Sequence, residues 1–125
     1  MIDVSDGFAA DLGHICDASG VGARVALARL PRPPAVRHAA VLLDDGRRDR
    51  ADLPLDLALA LGGGEDYALV ATGPPATASA AIAAVRRAGG RAVEVGEVVA
   101  AGAGRVAMDA NGRTRPLGAG GWRHL

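Results

Sequence analysis

Met1-Ile-Asp-Val-Ser-Asp-Gly-Phe-Ala-Ala-Asp-Leu-Gly-His-Ile-Cys16 is the stretch on which the fold turns. Up to Val4 it is extended and β-branched. From there Phe8, Leu12 and Ile15 fall at helical spacing, with Ala9 and Cys16 beside them. Ser5 and Asp6 are both good N-cap residues and mark the start of the helix, and Gly20 can take the left-handed conformation that closes one. A strand that feeds straight into an amphipathic helix is the opening of a layered α/β or α+β domain, with helices laid on a sheet.

The same alternation continues outward. Ala23, Val25 and Leu27 alternate with Arg24 and Ala26 as a half-buried strand, followed by a connector through the Pro-rich segment Pro31 to Pro34. A short helix is expected from Ala35 to Leu43. Asp44 to Asp52 reads as a charged, solvated loop. With Asp52 as cap and Pro54 near the first turn, Leu55 to Leu61 is a further short helix, stopped by Gly62, Gly63 and Gly64. A strand is expected over Tyr67 to Thr72. Pro74 and Pro75 then open the longest helix, about Ala76 to Ala88, which Gly89 and Gly90 close. Strands follow at Arg91 to Val95, Glu97 to Ala100 and Arg105 to Ala110, and Asn111-Gly112 signals a hairpin turn. No internal repeat interrupts this order, so a mixed sheet flanked by helices is the expected architecture.

Composition narrows the function. The 125 residues suit one domain, and with 50% hydrophobic residues but a single Phe, Tyr and Trp the core must come from Ala, Val, Leu and Ile. Fourteen basic residues balance fourteen acidic ones without a basic stripe, which argues against nucleic acid as a partner. Every basic residue is Arg. Lysine chemistry, from the phosphate-loop lysine to the Schiff base, is therefore excluded. The lone Cys16 cannot form an internal disulfide, and no leader or bilayer-length apolar run stands out, so a cytoplasmic, non-membrane protein is expected. His14, His38 and His124 are scattered, so any metal is expected to be held by oxygen.

Two segments could carry chemistry. Asp3 and Asp6, with Ser5 between them, bring two carboxylates and a hydroxyl toward the positive end of a helix. Mg²⁺ takes such ligands, completing its shell with waters and phosphates. A plain helix cap with Asp3 in solvent explains the same spacing. Gly62-Gly63-Gly64-Glu65-Asp66-Tyr67 places two carboxylates behind a backbone without Cβ atoms, where a ligand can approach or the chain can simply reverse. It is not a dinucleotide fingerprint, because no helix follows spaced glycines. Trp122, in a Gly-rich tail, is either a plug on the core or a stacking surface for a flat ring. His14 reads as a surface or partly packed residue and Cys16 as a small buried side chain, not as base and nucleophile.

Taken together, Met-Ile-Asp-Val-Ser-Asp-Gly-Phe at the start, Gly-Gly-Glu-Asp-Tyr-Ala-Leu at 63–69 and Gly-Trp-Arg-His-Leu at the end resemble the C-terminal half of the thiamine-monophosphate kinase family. That family lies within the aminoimidazole-ribonucleotide synthetase-like superfamily. The resemblance implies the mixed-sheet fold of that superfamily's C-terminal domain. It also implies transfer of the γ-phosphoryl group of ATP to thiamine monophosphate, giving thiamine diphosphate, with Mg²⁺ bridging the phosphates and no covalent enzyme intermediate. By motif, Asp3 and Asp6 would hold Mg²⁺, Ser5 would contact ATP, Glu65 would meet the thiamine substrate, and Trp122 would pack on a substrate ring. The chain departs from the family pattern at Phe8, usually Leu, at Ala68, usually Glu, and at the Trp-Arg-His-Leu terminus, usually Tyr-Asp-His-Phe.

In the family an N-terminal domain precedes this one, bringing the main Mg²⁺–ATP aspartates and the homodimer surface. The expectation is therefore a single C-terminal domain over residues 1–125, without its ATP-binding partner domain and catalytically silent alone. Two alternatives are another ATP-using synthetase of the superfamily, and a stand-alone domain that binds a thiamine phosphate without catalysis.

Overall fold

The chain runs β1 (Ile2–Asp3), α1 (Phe8–Ser19), β2 (Val21–Ala26), α2 (Pro34–Leu43), α3 (Leu55–Gly62), β3 (Leu69–Val70), α4 (Pro75–Arg87), β4 (Gly96–Ala100), β5 (Arg105–Met108) and β6 (Thr114–Pro116). This is the order in the computed structural model, which describes residues 1–43, 53–63 and 68–118. The charged loop read at 44–52, the segment 64–67 with Glu65 and the start of the expected Tyr67 strand, and the tail 119–125 with Trp122 lie outside the described residues.

Two sheets organise these elements. β1 and β3 form an antiparallel pair, Ile2 opposite Val70 and Asp3 opposite Leu69. The larger sheet has the order β4-β2-β5-β6 and is mixed: β2 is antiparallel to β4 and parallel to β5, and β5 is antiparallel to β6. The expected mixed sheet flanked by helices is thus the observed fold. Parallel strands need a long crossover, and here everything between Leu27 and Gly104 serves as the connection, including β4, which lies on the far side of β2.

The core sits between α1, the large sheet and the β1–β3 ribbon. Ala9, Leu12 and Cys16 from α1 join Ala23 and Val25 from β2, Ala107 from β5, Val4 and Val70 in one buried cluster. It is aliphatic, as the composition requires; Phe8 and Ile15 pack on its margin. Fully burying a Leu or Val side chain contributes about 1.5–3 kcal/mol, so α1 is held chiefly by this face. At Gly22 the backbones of β2, β4 and the turn before β5 meet so closely that a Cβ would collide with the carbonyl oxygens of Gly104 and Ala100.

Several elements differ from the sequence reading, each for a local reason. Arg91 to Val95 is irregular, because β2 ends at Ala26 and turns into a 3-10 turn at Leu27–Arg29, leaving those residues no strand to pair with. Only the Val95 carbonyl joins the ladder, accepting from the Ala26 amide at 2.8 Å. β3 is two residues long because its partner β1 is equally short. The hairpin at Asn111-Gly112 forms as expected, with Gly112 at φ 77, and returns as the strand β6.

The largest local difference is at the start of α1. The N-cap is Gly7, at φ 110 and ψ 148, and no side chain caps the helix, so neither Ser5 nor Asp6 does the capping expected of it. That φ favours glycine. A Cβ on Gly7 would also come within 3.0 Å of the Gly62 backbone, so the position is closed to side chains on two counts. The C-terminal end agrees with the sequence: Gly20 is left-handed, at φ 63.

Candidate functional site

The segment Asp3–Gly7 leaves β1, passes over the N-terminus of α1 and turns down into it at Gly7. Asp3, Ser5 and Asp6 are exposed along it, while Val4 and Gly7 are buried and fix its two ends. Val4 donates its amide to the Ala68 carbonyl at 2.9 Å. With the pairing of Asp3 and Leu69 and the approach of Gly7 to Gly62, this brings the two sides of the Gly-Gly-Gly-Glu-Asp segment against the Asp3–Gly7 segment. The two motifs singled out in the sequence are therefore neighbours in space at their described flanks.

Underneath lies a residue the sequence reading passed over. Asp11, in the first turn of α1, is 1% exposed, the only buried charged residue among those described. Its Oδ2 accepts the amide hydrogens of both Ser5, at 2.8 Å, and Asp6, at 3.0 Å. The partners of its charge are backbone dipoles at a helix N-terminus, where a carboxylate is favoured. A signal was present in the sequence: Asp11 falls on the same helical stripe as Phe8 and Ile15, and a carboxylate on an apolar stripe is seldom idle.

One turn further, His14 is exposed on the same side, as expected. Ligand atoms of Asp6, Asp11 and His14 all lie within 4.8 Å of one another. The group is mainly of hard oxygen donors, which suits Mg²⁺, and His14 is its one nitrogen.

The far end of α1 is different in character. Arg105 on β5 donates to the Gly13 carbonyl at 3.1 Å and to Asp17 Oδ1 at 2.9 Å, tying the helix to the sheet. Beside it an open hollow of about 360 Å³ is lined by Cys16, Asp17, Gly20, Val21, Ala101, Gly104 and Arg105. Cys16 is 1% exposed. Burial pushes its thiol above the ordinary range, partly opposed by the Arg105 guanidinium. It is a packed thiol, as the sequence reading had it, and not a nucleophile.

A mixed sheet with a helix whose N-terminus is crossed by an Asp-x-Ser-Asp-Gly segment defines a known class. The family model for the C-terminal domain of AIR synthase related proteins matches residues 1–109, and the chain belongs to that family. Within it the chain is similar to the thiamine-monophosphate kinase of Salmonella typhimurium, with 49% identity over 74 residues, covering 58% of this chain and 19% of that protein. The Caulobacter vibrioides thiamine-monophosphate kinase is 40% identical over 97 residues, covering 78% of this chain and 26% of that protein. The Escherichia coli protein of the same name is 46% identical over 74 residues, covering 58% and 19%. The matched segments thus span between 19% and 26% of these relatives' lengths. Among the described residues no helix is long and apolar enough to cross a membrane.

Proposed function

We propose that this chain is the C-terminal part of a cytoplasmic, ATP-dependent kinase that phosphorylates thiamine monophosphate to thiamine diphosphate. The observation that carries the reading is the meeting of the two motif flanks: Asp3 opposite Leu69, Val4 bonded to Ala68 and Gly7 against Gly62. The exposed carboxylates of the first motif thus lie beside the described flanks of the second, an arrangement that suits a site for two phosphate-bearing substrates. The names of the relatives supply the substrates.

In this reading Asp3 and Asp6 hold Mg²⁺, Ser5 contacts ATP, and Glu65 and Trp122 meet the thiamine substrate. The exposed oxygen donors along Asp3–Asp6 fit a hard cation of this type. When bound, Mg²⁺ neutralises charge on the phosphate oxygens, which is most of what a direct phosphoryl transfer asks of its enzyme. What the chain's own residues do is bind and orient: the exposed carboxylates face the phosphates, and the buried Val4 and Gly7 keep them in place. The relatives' greater length supports an N-terminal domain that supplies further nucleotide ligands and the surface of a homodimer. The 125 residues alone are then expected to turn over little or no substrate.

The test is a coupled assay of thiamine diphosphate and ADP formation from thiamine monophosphate and Mg²⁺–ATP, run on the full-length gene product and on residues 1–125. Activity in the first and none in the second is expected. No product from the full-length protein would sink the proposal, and ordinary turnover by residues 1–125 would remove the need for a second domain.

A further inference from the structure

We propose that Asp11 is a positioning residue for the phosphate–metal segment: its buried carboxylate fixes the backbone from which Ser5 and Asp6 present their side chains. The proposal rests on the assignment of Asp3, Ser5 and Asp6 above and assigns a role to a residue outside that set.

Three observations lead to it. The first is the cost of the arrangement. A carboxylate is ordinarily kept out of the interior, yet Asp11 is buried with backbone amides for its partners. The second is where its bonds go. Oδ2 takes the amides of two consecutive residues, Ser5 and Asp6, five and six positions back along the chain. Those are the two exposed polar residues between the buried Val4 and Gly7. Charge-assisted bonds from a carboxylate to amides are roughly twice as strong as neutral ones. The third is the absence of any other described hold on that stretch: no side chain caps α1, and Ser5 and Asp6 lie outside both β1 and the helix. Between the buried ends Val4 and Gly7, the Asp11 carboxylate is therefore the contact that holds the Ser5 and Asp6 amides from which the side chains of both residues start.

Residues that orient metal ligands are worth about 10- to 100-fold in metal affinity when removed. Asn keeps a carbonyl-type acceptor with two lone pairs and can still receive both amides; Ala cannot. The comparison of Asp11→Asn with Asp11→Ala therefore separates an anchor from a ligand, because a ligand role needs the charge and an anchor role needs only the acceptor.

The experiment titrates Mn²⁺ alone into the full-length protein, following free Mn²⁺ by electron paramagnetic resonance. It uses the wild type, Asp6→Asn, Asp11→Asn and Asp11→Ala, and counts only the binding that Asp6→Asn abolishes. Asp11→Ala is expected to weaken that binding about tenfold or more, and Asp11→Asn clearly less, because both amides keep an acceptor and only its charge is lost. Amide hydrogen exchange at Ser5 and Asp6 should speed up in Asp11→Ala and stay slow in Asp11→Asn. If Asp11→Ala does not fold, the Asn variant decides: slow Ser5 and Asp6 exchange with Mn²⁺ binding near wild type supports the anchor, and a loss of tenfold or more overturns it.

Unchanged Mn²⁺ binding in Asp11→Ala would also overturn it, as would equal losses in Asn and Ala, which would make Asp11 a ligand. A wild type that binds no Asp6-dependent Mn²⁺ would leave nothing to position and overturns it as well. Failure of the kinase reading shows elsewhere, as the absence of thiamine diphosphate formation by the wild type. The Mn²⁺ comparison stands in that event.

Discussion

α1 and α4 are nearly equal in length, 12 and 13 residues, and are stabilised in opposite ways. α4 opens with a proline in its first turn, closes on Arg86 and Arg87 and is largely Ala between them, so its own sequence favours the helix at both ends and in the middle. None of its residues is buried. α1 has no side-chain cap, no basic residue in its last turn and a glycine at Gly13 in its interior, yet it buries Ala9, Asp11, Leu12, Gly13 and Cys16. The first helix is held by what it packs against and the second by what it is made of. The candidate site grows from the first. Its exposed carboxylates inherit their positions from a buried face, and α4 has no such face.

The comparison can be broken most severely where β2, the strand α1 packs on, meets its neighbours. Gly22→Ala drives a Cβ into the Gly104 and Ala100 carbonyls. It is expected to destabilise the protein by about 3 kcal/mol or more, because backbone cannot give way as a side chain can. Urea unfolding followed by circular dichroism measures it; a loss under about 1 kcal/mol would mean that the strands can part at Gly22 to admit a methyl group.

Leu12→Ala removes a large buried side chain from the middle of α1's inner face. A cost of about 3 kcal/mol is expected. It should appear as a lower unfolding midpoint with an unchanged slope, and an α1 held by propensity would scarcely register it.

Much of this contrast could be read from the chain itself, and the reason is punctuation. Gly20, Pro74-Pro75 and Asn111-Gly112 act through backbone dihedrals that do not depend on distant residues, so α1's end, α4's start and the last hairpin fell where the sequence put them. The apolar spacing of Phe8, Leu12 and Ile15 likewise gave the inner face of α1. What escaped depends on partners far along the chain. Ser5 and Asp6 have the chemistry of caps, but the approach of Gly62 reserves the cap position for Gly7. Arg91 to Val95 has the composition of a strand but no strand to join. Asp11 became a site residue only when its amide partners were in view, although its place on an apolar stripe was already visible.

Cys16→Ser sharpens the comparison by adding polarity without changing size. Burying the hydroxyl is expected to cost about 1–3 kcal/mol. The native thiol also gives a dependence on pH. Burial raises its pKa, so the folded state holds this proton more tightly than the unfolded chain does. The stability it contributes is fully present below the ordinary thiol pKa of about 8.5 and is lost as pH rises through the folded-state value. Unfolding midpoints should therefore fall at alkaline pH in the wild type more steeply than in Cys16→Ala. Equal slopes would remove Cys16 as the cause.

The smallest effect belongs to α4. Ala84→Gly, at an exposed position, should weaken the helix locally by about 1 kcal/mol. Hydrogen exchange would show it in the amides of 78–88, with a global unfolding midpoint close to wild type. A global loss as large as that of Leu12→Ala would show that α4 is packed after all.

The parallel pairing of β2 with β5 has a consequence for how the protein is made. β2 finds both of its neighbours roughly 70 to 80 positions later in the chain, at β4 and β5, the kind of separation that slows folding. On a ribosome adding about 5–20 residues each second, the nascent α1 and β2 wait on the order of several seconds with Ala9, Leu12, Cys16 and Val25 uncovered. The helix from which the candidate site grows thus gains its full sheet only once β4 and β5 have been made, well after its own residues.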